Sequence, residues 1–425
     1  MLLGCIADDF TGATDLANTL VREGMSTVVV LGVPRPGGPV PDTDAVIVAL
    51  KSRSIAATEA IKLSLEALEW LKRGGTKQYY FKYCSTFDST DAGNIGPVAE
   101  ALLAALDERF TVACPAFPTN KRTIHQGNLF VGDQLLSESS MRHHPLNPMT
   151  DASLVRVLQR QCKGKVALVP FNIVEQGAEA IRAEMKKLAA SDSRHAIVDA
   201  ITDQHLLSIG TACADMKLLT GGSGLALGLP ENFRRQGLLK TSQANALPHI
   251  GGHAIVLSGS CSAATQRQVA EMKKQCESFG IDALALARGD DVVQQALAWA
   301  QTRLGDKPVL IYSTAAPQQI EAVQAAVGRE RAGSMVEQAL SEIAKDLVAR
   351  GTRRLVVAGG ETSGAVVTAL GISGLRVGPE IDPGVPWTAS VGDEPIALAL
   401  KSGNFGSDDF FLKAFQKIGT ADERR

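Results

Sequence analysis

Ile6-Ala7-Asp8-Asp9-Phe10-Thr11-Gly12-Ala13-Thr14-Asp15 decides how the rest of the chain is read. An apolar run from Leu2 to Ile6 predicts a short buried strand, and a helical pattern carrying Leu16, Leu20 and Val21 begins just beyond Gly12. Asp8 and Asp9 therefore stand at the carboxyl end of a first strand, where open α/β sheets place their ligands. Aspartate is also a favoured helix cap. One cap explains one aspartate, and the second calls for another role.

Outward from that junction, β-rich runs at 2–6, 27–32, 45–50, 78–84, 111–114, 165–169 and 195–199 alternate with helical patterns near 13–23, 56–73, 96–107, 153–161 and 174–190. Such alternation predicts a mostly parallel sheet flanked by helices. The pattern weakens between 229 and 252 and then resumes. Strands are expected at 254–258, 309–313, 354–358, 375–377 and 396–400, with helices at 264–279, 333–350, 363–370 and 407–417. The expectation is an α/β chain of two domains, 1–240 and 250–425, with the active site in a cleft between them. Pro34 to Pro41 and the stretch 115–148 read as irregular.

The chain has 425 residues, 45% of them hydrophobic and 21% charged, with a net charge of −2. It is long enough for two cores, and its charge balance carries no footprint for nucleic acid. No apolar stretch reaches the ~20 residues of a membrane span, and Asp8 and Asp9 interrupt any export signal. The seven scattered cysteines form no Cys-x-x-Cys pair, so neither a disulfide framework nor a zinc site is indicated. A cytoplasmic protein is expected, with a homodimer as the default assembly.

Two further strand ends in the first half carry cations. Lys51 and Arg53 follow the third strand, and Lys82 opens Lys82-Tyr83-Cys84-Ser85-Thr86-Phe87-Asp88-Ser89-Thr90 at the end of the fourth. A guanidinium fork at Arg53 suits a carboxylate ligand, whereas aspartates suit hydroxyls. Taken singly, each residue is as well explained by a solvated loop, and Asp88 by a helix cap. Gly93-Asn94-Ile95-Gly96 offers backbone amides at a helix start. Asn120 to Gly127, with His125, reads as a polar loop able to cover a site.

In the second half, three strands end in turns of small residues: Leu257-Ser258-Gly259-Ser260, Ala358-Gly359-Gly360-Glu361-Thr362-Ser363-Gly364 and Lys401-Ser402-Gly403-Asn404-Phe405-Gly406. Glycine lets backbone approach a ligand closely, and helix-start amides bind anions. No Walker sequence is present. Gly221-Gly222-Ser223-Gly224 has the wrong spacing for a dinucleotide and follows sequence that reads as helix.

The segments Ala7–Asp15, Phe81–Thr90 and Gly359–Gly364 jointly resemble the four-carbon acid sugar kinase family, and the likeness runs along essentially the whole chain. It implies a sugar-acid-binding domain followed by an ATP-binding one. Ser258, Gly360, Glu361, Thr362, Ser363 and Gly403 match the family's nucleotide contacts. Asp8, Asp9, Lys51, Arg53, Lys82 and Ser85 are the candidate substrate residues, with Asp8 or Asp9 as base and Asp9 preferred. The reaction implied is transfer of the ATP γ-phosphoryl group, with Mg²⁺, to the 4-hydroxyl of a four-carbon sugar acid. The first choice of acceptor is a 3-oxo-tetronate, with D-threonate or erythronate as alternatives. Two rivals stand further off. A phosphohydrolase would need Asp-x-Asp rather than adjacent aspartates, and a cytosolic sensor would bind nucleotide without turnover.

Overall fold

In a computed structural model, residues 1–35, 37–143, 147–239, 244–315, 317–403 and 405–419 are described. Pro36, His144, Asn404 and residues 240–243 of the expected domain junction lie outside them. The chain divides into two compact units, Met1–Asn245 and Ala246–Arg425.

The first unit is built on strands β1 (Leu3–Ala7), β2 (Thr27–Leu31), β3 (Ala45–Ala49), β4 (Gln78–Lys82), β5 (Thr111–Cys114), β9 (Lys165–Val169), β10 (Ser193–Val198) and β11 (Leu218–Gly221). Their order across the sheet is β2-β3-β1-β4-β11-β5-β10-β9, and every pairing is parallel. β1 and β3 are buried along their whole length, which is why both read as unbroken apolar runs. After β1 the chain turns to one side of the sheet, and after β4 to the other. The carboxyl ends of β1 and β4 thus border the crevice where ligands of such sheets sit. The helix Phe10–Arg22 buries Ala13, Leu16, Ala17 and Leu20. That is one face at helical spacing, and each buried leucine contributes about 2 kcal/mol.

Four expectations for this unit need correction. The stretch 115–148 is not all irregular: β6 (Arg122–His125), β7 (Asn128–Val131) and β8 (Gln134–Leu135) form an antiparallel meander. Its first turn, Gln126-Gly127, has φ of 50° and 73°, the positive pair of a tight hairpin. Glutamine is an uncommon first residue there, so the turn carried little sequence signal. Buried Asp199 accepts hydrogen bonds from the Gln126, Gly127 and Phe171 amides (2.7–2.8 Å). Asn120 to Gly127 is thereby an anchored hairpin rather than a loose cover. Gly221-Gly222-Ser223-Gly224 follows strand β11, not helix. The helix expected over 174–190 is broken at Gly177, whose φ is 92°.

The second unit contains β12 (His253–Ser258), β13 (Ser278–Gly280), β14 (Val309–Tyr312), β15 (Thr352–Ala358), β16 (Gly374–Asp382), β17 (Val385–Ser390) and β18 (Ala397–Lys401). Their order is β13-β14-β12-β15-β18-β17-β16. Pairings are parallel from β13 to β18 and antiparallel across β18, β17 and β16. The helix expected at 264–279 ends at Met272, before β13. β17 and the helices Ala283–Arg288 and Val292–Gln301 were not anticipated. A core of Val256, Leu310, Val356, Trp387, Phe410 and Phe411 closes one face, and Trp387 Nε1 donates to Ala414 O at 2.8 Å. All seven cysteines are free thiols. Among the described residues no helix is long and apolar enough to cross a membrane.

Candidate functional site

The tips of β3, β1 and β4 are tied together by backbone. Asp8 N donates to Lys82 O (3.0 Å), and Asp8 O accepts from the amides of Ser52 (2.9 Å) and Arg53 (3.1 Å). Side chains then converge on that junction. Arg53 places Nε and one terminal nitrogen on the two Asp8 oxygens, both at 2.8 Å, and that terminal nitrogen also reaches Asp9 Oδ1 at 2.6 Å. The two-pronged contact uses both Asp8 oxygens as acceptors, the geometry of an ionised carboxylate. Burial pushes the Asp8 carboxyl above its ordinary value, and Arg53 opposes that rise. For Arg53, burial works against the charge but Asp8 outweighs it, and the guanidinium is held above its usual range.

Asp9 does two things at once. Its extended backbone (φ −148°, ψ 163°) caps the helix, with Oδ1 accepting from Gly12 N at 2.9 Å. Oδ2 has no partner among the described residues. The Asp9 side chain is 27% exposed against 4% for Asp8, so Asp9 is the more accessible of the two carboxylates. Lys82, buried, donates from Nζ to Tyr83 O at 2.9 Å. A Cβ on Gly12 would lie 2.8 Å from that Nζ and within the contact radius of Asp9 Oδ1. Glycine at 12 is therefore what lets the helix start approach the lysine.

Of the other candidates, Lys51 is exposed and Ser85 half-buried, and among the described residues no hydrogen bond or ion pair joins either to this cluster. Two residues with other readings are drawn in. Asp88 Oδ2 lies 3.7 Å from the remaining terminal nitrogen of Arg53. It is aimed there by a turn in which Phe87 (φ 62°) and Asp88 (φ 41°) are successive left-handed non-glycine residues. Each costs on the order of 1–3 kcal/mol. The turn is held by Phe87 N to Cys84 O (3.0 Å), Asp88 N to Thr86 O (2.7 Å) and the edge-on Phe87 ring against Tyr83. Asn94 does not cap its helix with its side chain. It donates instead to Ser52 O (2.7 Å) and Ile55 O (3.1 Å), bracing the loop that carries Arg53. Gly93 N and Gly96 N are already bound to Thr90 O and Gln161 Oε1.

In the second unit, β12, β15 and β18 are neighbours, so their three terminal turns share one sheet edge. Gly259 N and Ser260 N both donate to Ala358 O, at 3.0 and 3.2 Å, and Gly359 N donates to Lys401 O at 2.8 Å. Buried Ser258 pairs through Oγ with Thr314 Oγ1 at 2.8 Å. Gly359, with φ 126°, starts the helix Gly360–Ala369. The first intrahelical bond runs from Ser363 N to Gly359 O (2.8 Å), which leaves the Gly360, Glu361 and Thr362 amides for an external acceptor. Thr362 and Ser363 are buried, whereas Gly360 and Glu361 are exposed. A side chain on Gly259 would collide with Thr362 Oγ1, and one on Gly403 would lie 2.7 Å from Ser260 Oγ. Gly259 and Gly403 therefore let the three turns pack against one another, and the free Gly360, Glu361 and Thr362 amides are what suits an anion there.

Residues 3–229 match the family model described as "Sugar-binding N-terminal domain", and residues 255–411 match "Nucleotide-binding C-terminal domain". A Cupriavidus necator protein named 3-oxo-tetronate kinase is 60% identical over 98% of this chain and 97% of its own length. A Salmonella typhimurium protein of the same name is 46% identical over 97% of this chain and 98% of its own. Among solved structures, a Salmonella typhimurium protein titled a putative tRNA synthase superposes with a TM-score of 0.90 at 44% identity, covering 98% of this chain and 99% of that one. A Haemophilus influenzae protein of the DUF1537 family superposes at 0.88, also at 44% identity, covering 98% and 100%.

Proposed function

Because the chain belongs to the four-carbon acid sugar kinase family, we propose that it transfers the γ-phosphoryl group of ATP to the 4-hydroxyl of 3-oxo-tetronate. The products are 3-oxo-tetronate 4-phosphate and ADP, a step in the breakdown of four-carbon acid sugars. The observation that carries the reading is the convergence of Asp8, Asp9, Arg53 and Lys82 on the crevice edge of the first unit. Acids for hydroxyls and bases for a carboxylate stand within one side chain's reach of each other.

Phosphoryl transfer asks little covalent chemistry of a protein. It needs an oriented hydroxyl and donors that neutralise the moving charge. Asp9 orients the 4-hydroxyl and accepts its proton through Oδ2, while Arg53 holds Oδ1. Asp8 keeps Arg53 in place. Lys82, with the Arg53 nitrogen that faces Asp88, binds the sugar-acid carboxylate. The Arg53 fork is shared with Asp8 and Asp9, so it contributes one nitrogen to the ligand rather than two.

In the second unit, Ser258, the Gly360–Ser363 helix start and Gly403 take the nucleotide phosphates. A Mg²⁺ ion carried by those phosphates would supply charge neutralisation on the transferring group. The enzyme is taken to work in the cytoplasm as a homodimer.

The test is coupled ADP release with 3-oxo-tetronates, threonates and erythronates side by side. Turnover with a 3-oxo-tetronate at least tenfold above the others supports the assignment. Preference for D-threonate or erythronate moves it to a sibling activity. Nucleotide binding without any acceptor-dependent ADP overturns the kinase reading in favour of a sensor.

A further inference from the structure

Lys401 ends β18 with no exposed surface, and it is among the largest fully buried side chains described. Its ammonium donates to Thr265 Oγ1 (3.1 Å), Ser402 O (3.1 Å) and Gly403 O (2.9 Å). All three acceptors are neutral. The Gly403 carbonyl also receives Ser262 Oγ (2.5 Å) and Thr265 Oγ1 (2.9 Å), and Thr265 Oγ1 lies 3.2 Å from Ser260 Oγ. The Lys401 carbonyl accepts from Gly359 N. This one residue is therefore bonded directly to two of the three turns placed above at the nucleotide, and Thr265 Oγ1 links it to Ser260 of the third.

Charged groups on the surrounding elements are turned elsewhere. Arg267 pairs with Asp408, and Glu271 with Lys274. Arg353 pairs with Glu394, Arg354 binds Gly252 O, and Asp382 pairs with Lys413. Glu361 is exposed at the helix start, and Cys261, half-buried, is the remaining titratable group on the adjoining turn. Among the described residues no carboxylate contacts the Lys401 ammonium. A buried cation without a counter-charge is costly unless something compensates it, and here the uncompensated charge is bonded to the Ser402–Gly403 turn, on the strand that pairs with the one leading into the free helix-start amides.

We propose that Lys401 is a positioning residue for the nucleotide: its buried charge clamps the Ser260–Ser262 and Ser402–Gly403 turns together and finds its counter-ion in the bound polyphosphate. The inference rests on the nucleotide half of the reading above. Burial already lowers the Lys401 ammonium to about 8, so part of the population is neutral in mildly alkaline solution. An arriving anion favours the charged form. Nucleotide and proton then bind together, a linkage that a purely structural strut would not produce.

The experiment is calorimetric titration of the full-length protein with MgADP at pH 7.0 and 8.5, in two buffers of different ionisation enthalpy. ADP itself carries no titrating phosphate at pH 8.5. The expected result is uptake of a substantial fraction of a proton at pH 8.5 and close to none at pH 7.0, with affinity falling up to tenfold per pH unit above 8. Cys261→Ser should keep the uptake. Lys401→Met should abolish it and raise the KM for ATP about tenfold, with the sugar-acid KM unchanged. Absence of uptake in the wild-type protein overturns the proposal, as does its loss in Cys261→Ser, and neither measurement depends on Lys401→Met folding. Uptake without any sugar-acid turnover leaves Lys401 in this role and removes the kinase reading. Turnover without uptake does the reverse, and failure to bind MgADP at all removes both.

Discussion

Lys82 and Lys401 occupy equivalent places in the two units. Each is the last residue of a strand, buried, and in register with the residue that precedes a strand-to-helix turn: Lys82 opposite Ala7, Lys401 opposite Ala358. Each lysine carbonyl accepts the first amide of that turn, from Asp8 at 3.0 Å and from Gly359 at 2.8 Å. The turns themselves differ. After Ala7 stand two aspartates, and after Ala358 two glycines. Lys82 therefore shares its surroundings with Asp8, Asp9 and Arg53, a nearly balanced set of charges. Lys401 has only hydroxyls and carbonyls. On the function proposed above, the same backbone junction serves hydroxyls plus one carboxylate in the first case, and phosphates in the second.

The sharpest way to break this contrast is Asp9→Asn, which removes the proton acceptor but keeps the cap. A fall in kcat of about 10³-fold is expected, with KM values within threefold. Near-native kcat in the ADP-release assay would remove Asp9 from the chemistry.

Arg53→Met leaves Asp8 buried without its partner. We expect a loss of about 3 kcal/mol, the low end for breaking a buried pair because Arg53 keeps some solvent contact. Urea unfolding measures it, and a loss under 1 kcal/mol would mean that the cluster is not held electrostatically.

Lys82→Met should raise the sugar-acid KM about tenfold and leave MgADP affinity alone, the mirror image of Lys401→Met. If both lysine variants weaken the same ligand, the two junctions are not specialised as described.

Asp382 supplies an acid-side comparison within the second unit. Burial disfavours its charge, but Lys413 at 2.5 Å and Ser407 outweigh that and hold it below the ordinary carboxylate value. A depressed carboxyl stabilises the fold above its unfolded pKa, and that stability is lost as pH falls through the folded one. Asp382→Asn should cost about 1 kcal/mol at pH 7, since Lys413 is partly solvated. The difference should vanish towards pH 2 in thermal melts. The smallest effect belongs to exposed Lys51: Lys51→Ala should change the sugar-acid KM less than twofold.

Much of the architecture was legible because parallel strands buried on both faces must be apolar throughout. β1, β2, β3 and β5 read as strands for that reason. β9 and β10 read as strands from shorter apolar runs beside polar or exposed residues, whereas β11, which runs straight into Gly221-Gly222, and the Gln126-Gly127 hairpin carried too little pattern. Asp8 and Asp9 were conspicuous because adjacent acids at a strand end have no structural need of each other. Asp88 was visible only as a cap, since nothing local reveals a left-handed Phe87-Asp88 pair. Asn94 was noticed for its neighbours' amides rather than for its own side chain, and Lys401 passed as the polar end of an apolar run.

Local order in the chain was enough to determine where strands end and which residue types stand at those ends, because burial and turn chemistry act over a few neighbours. Which of those ends touch was decided only in three dimensions. Arg53 meets Asp8 across 45 positions, and Lys401 meets Thr265 across 136. Such contacts follow from the order in which strands pair, and that order is set by the packing of the whole sheet rather than by any segment of it.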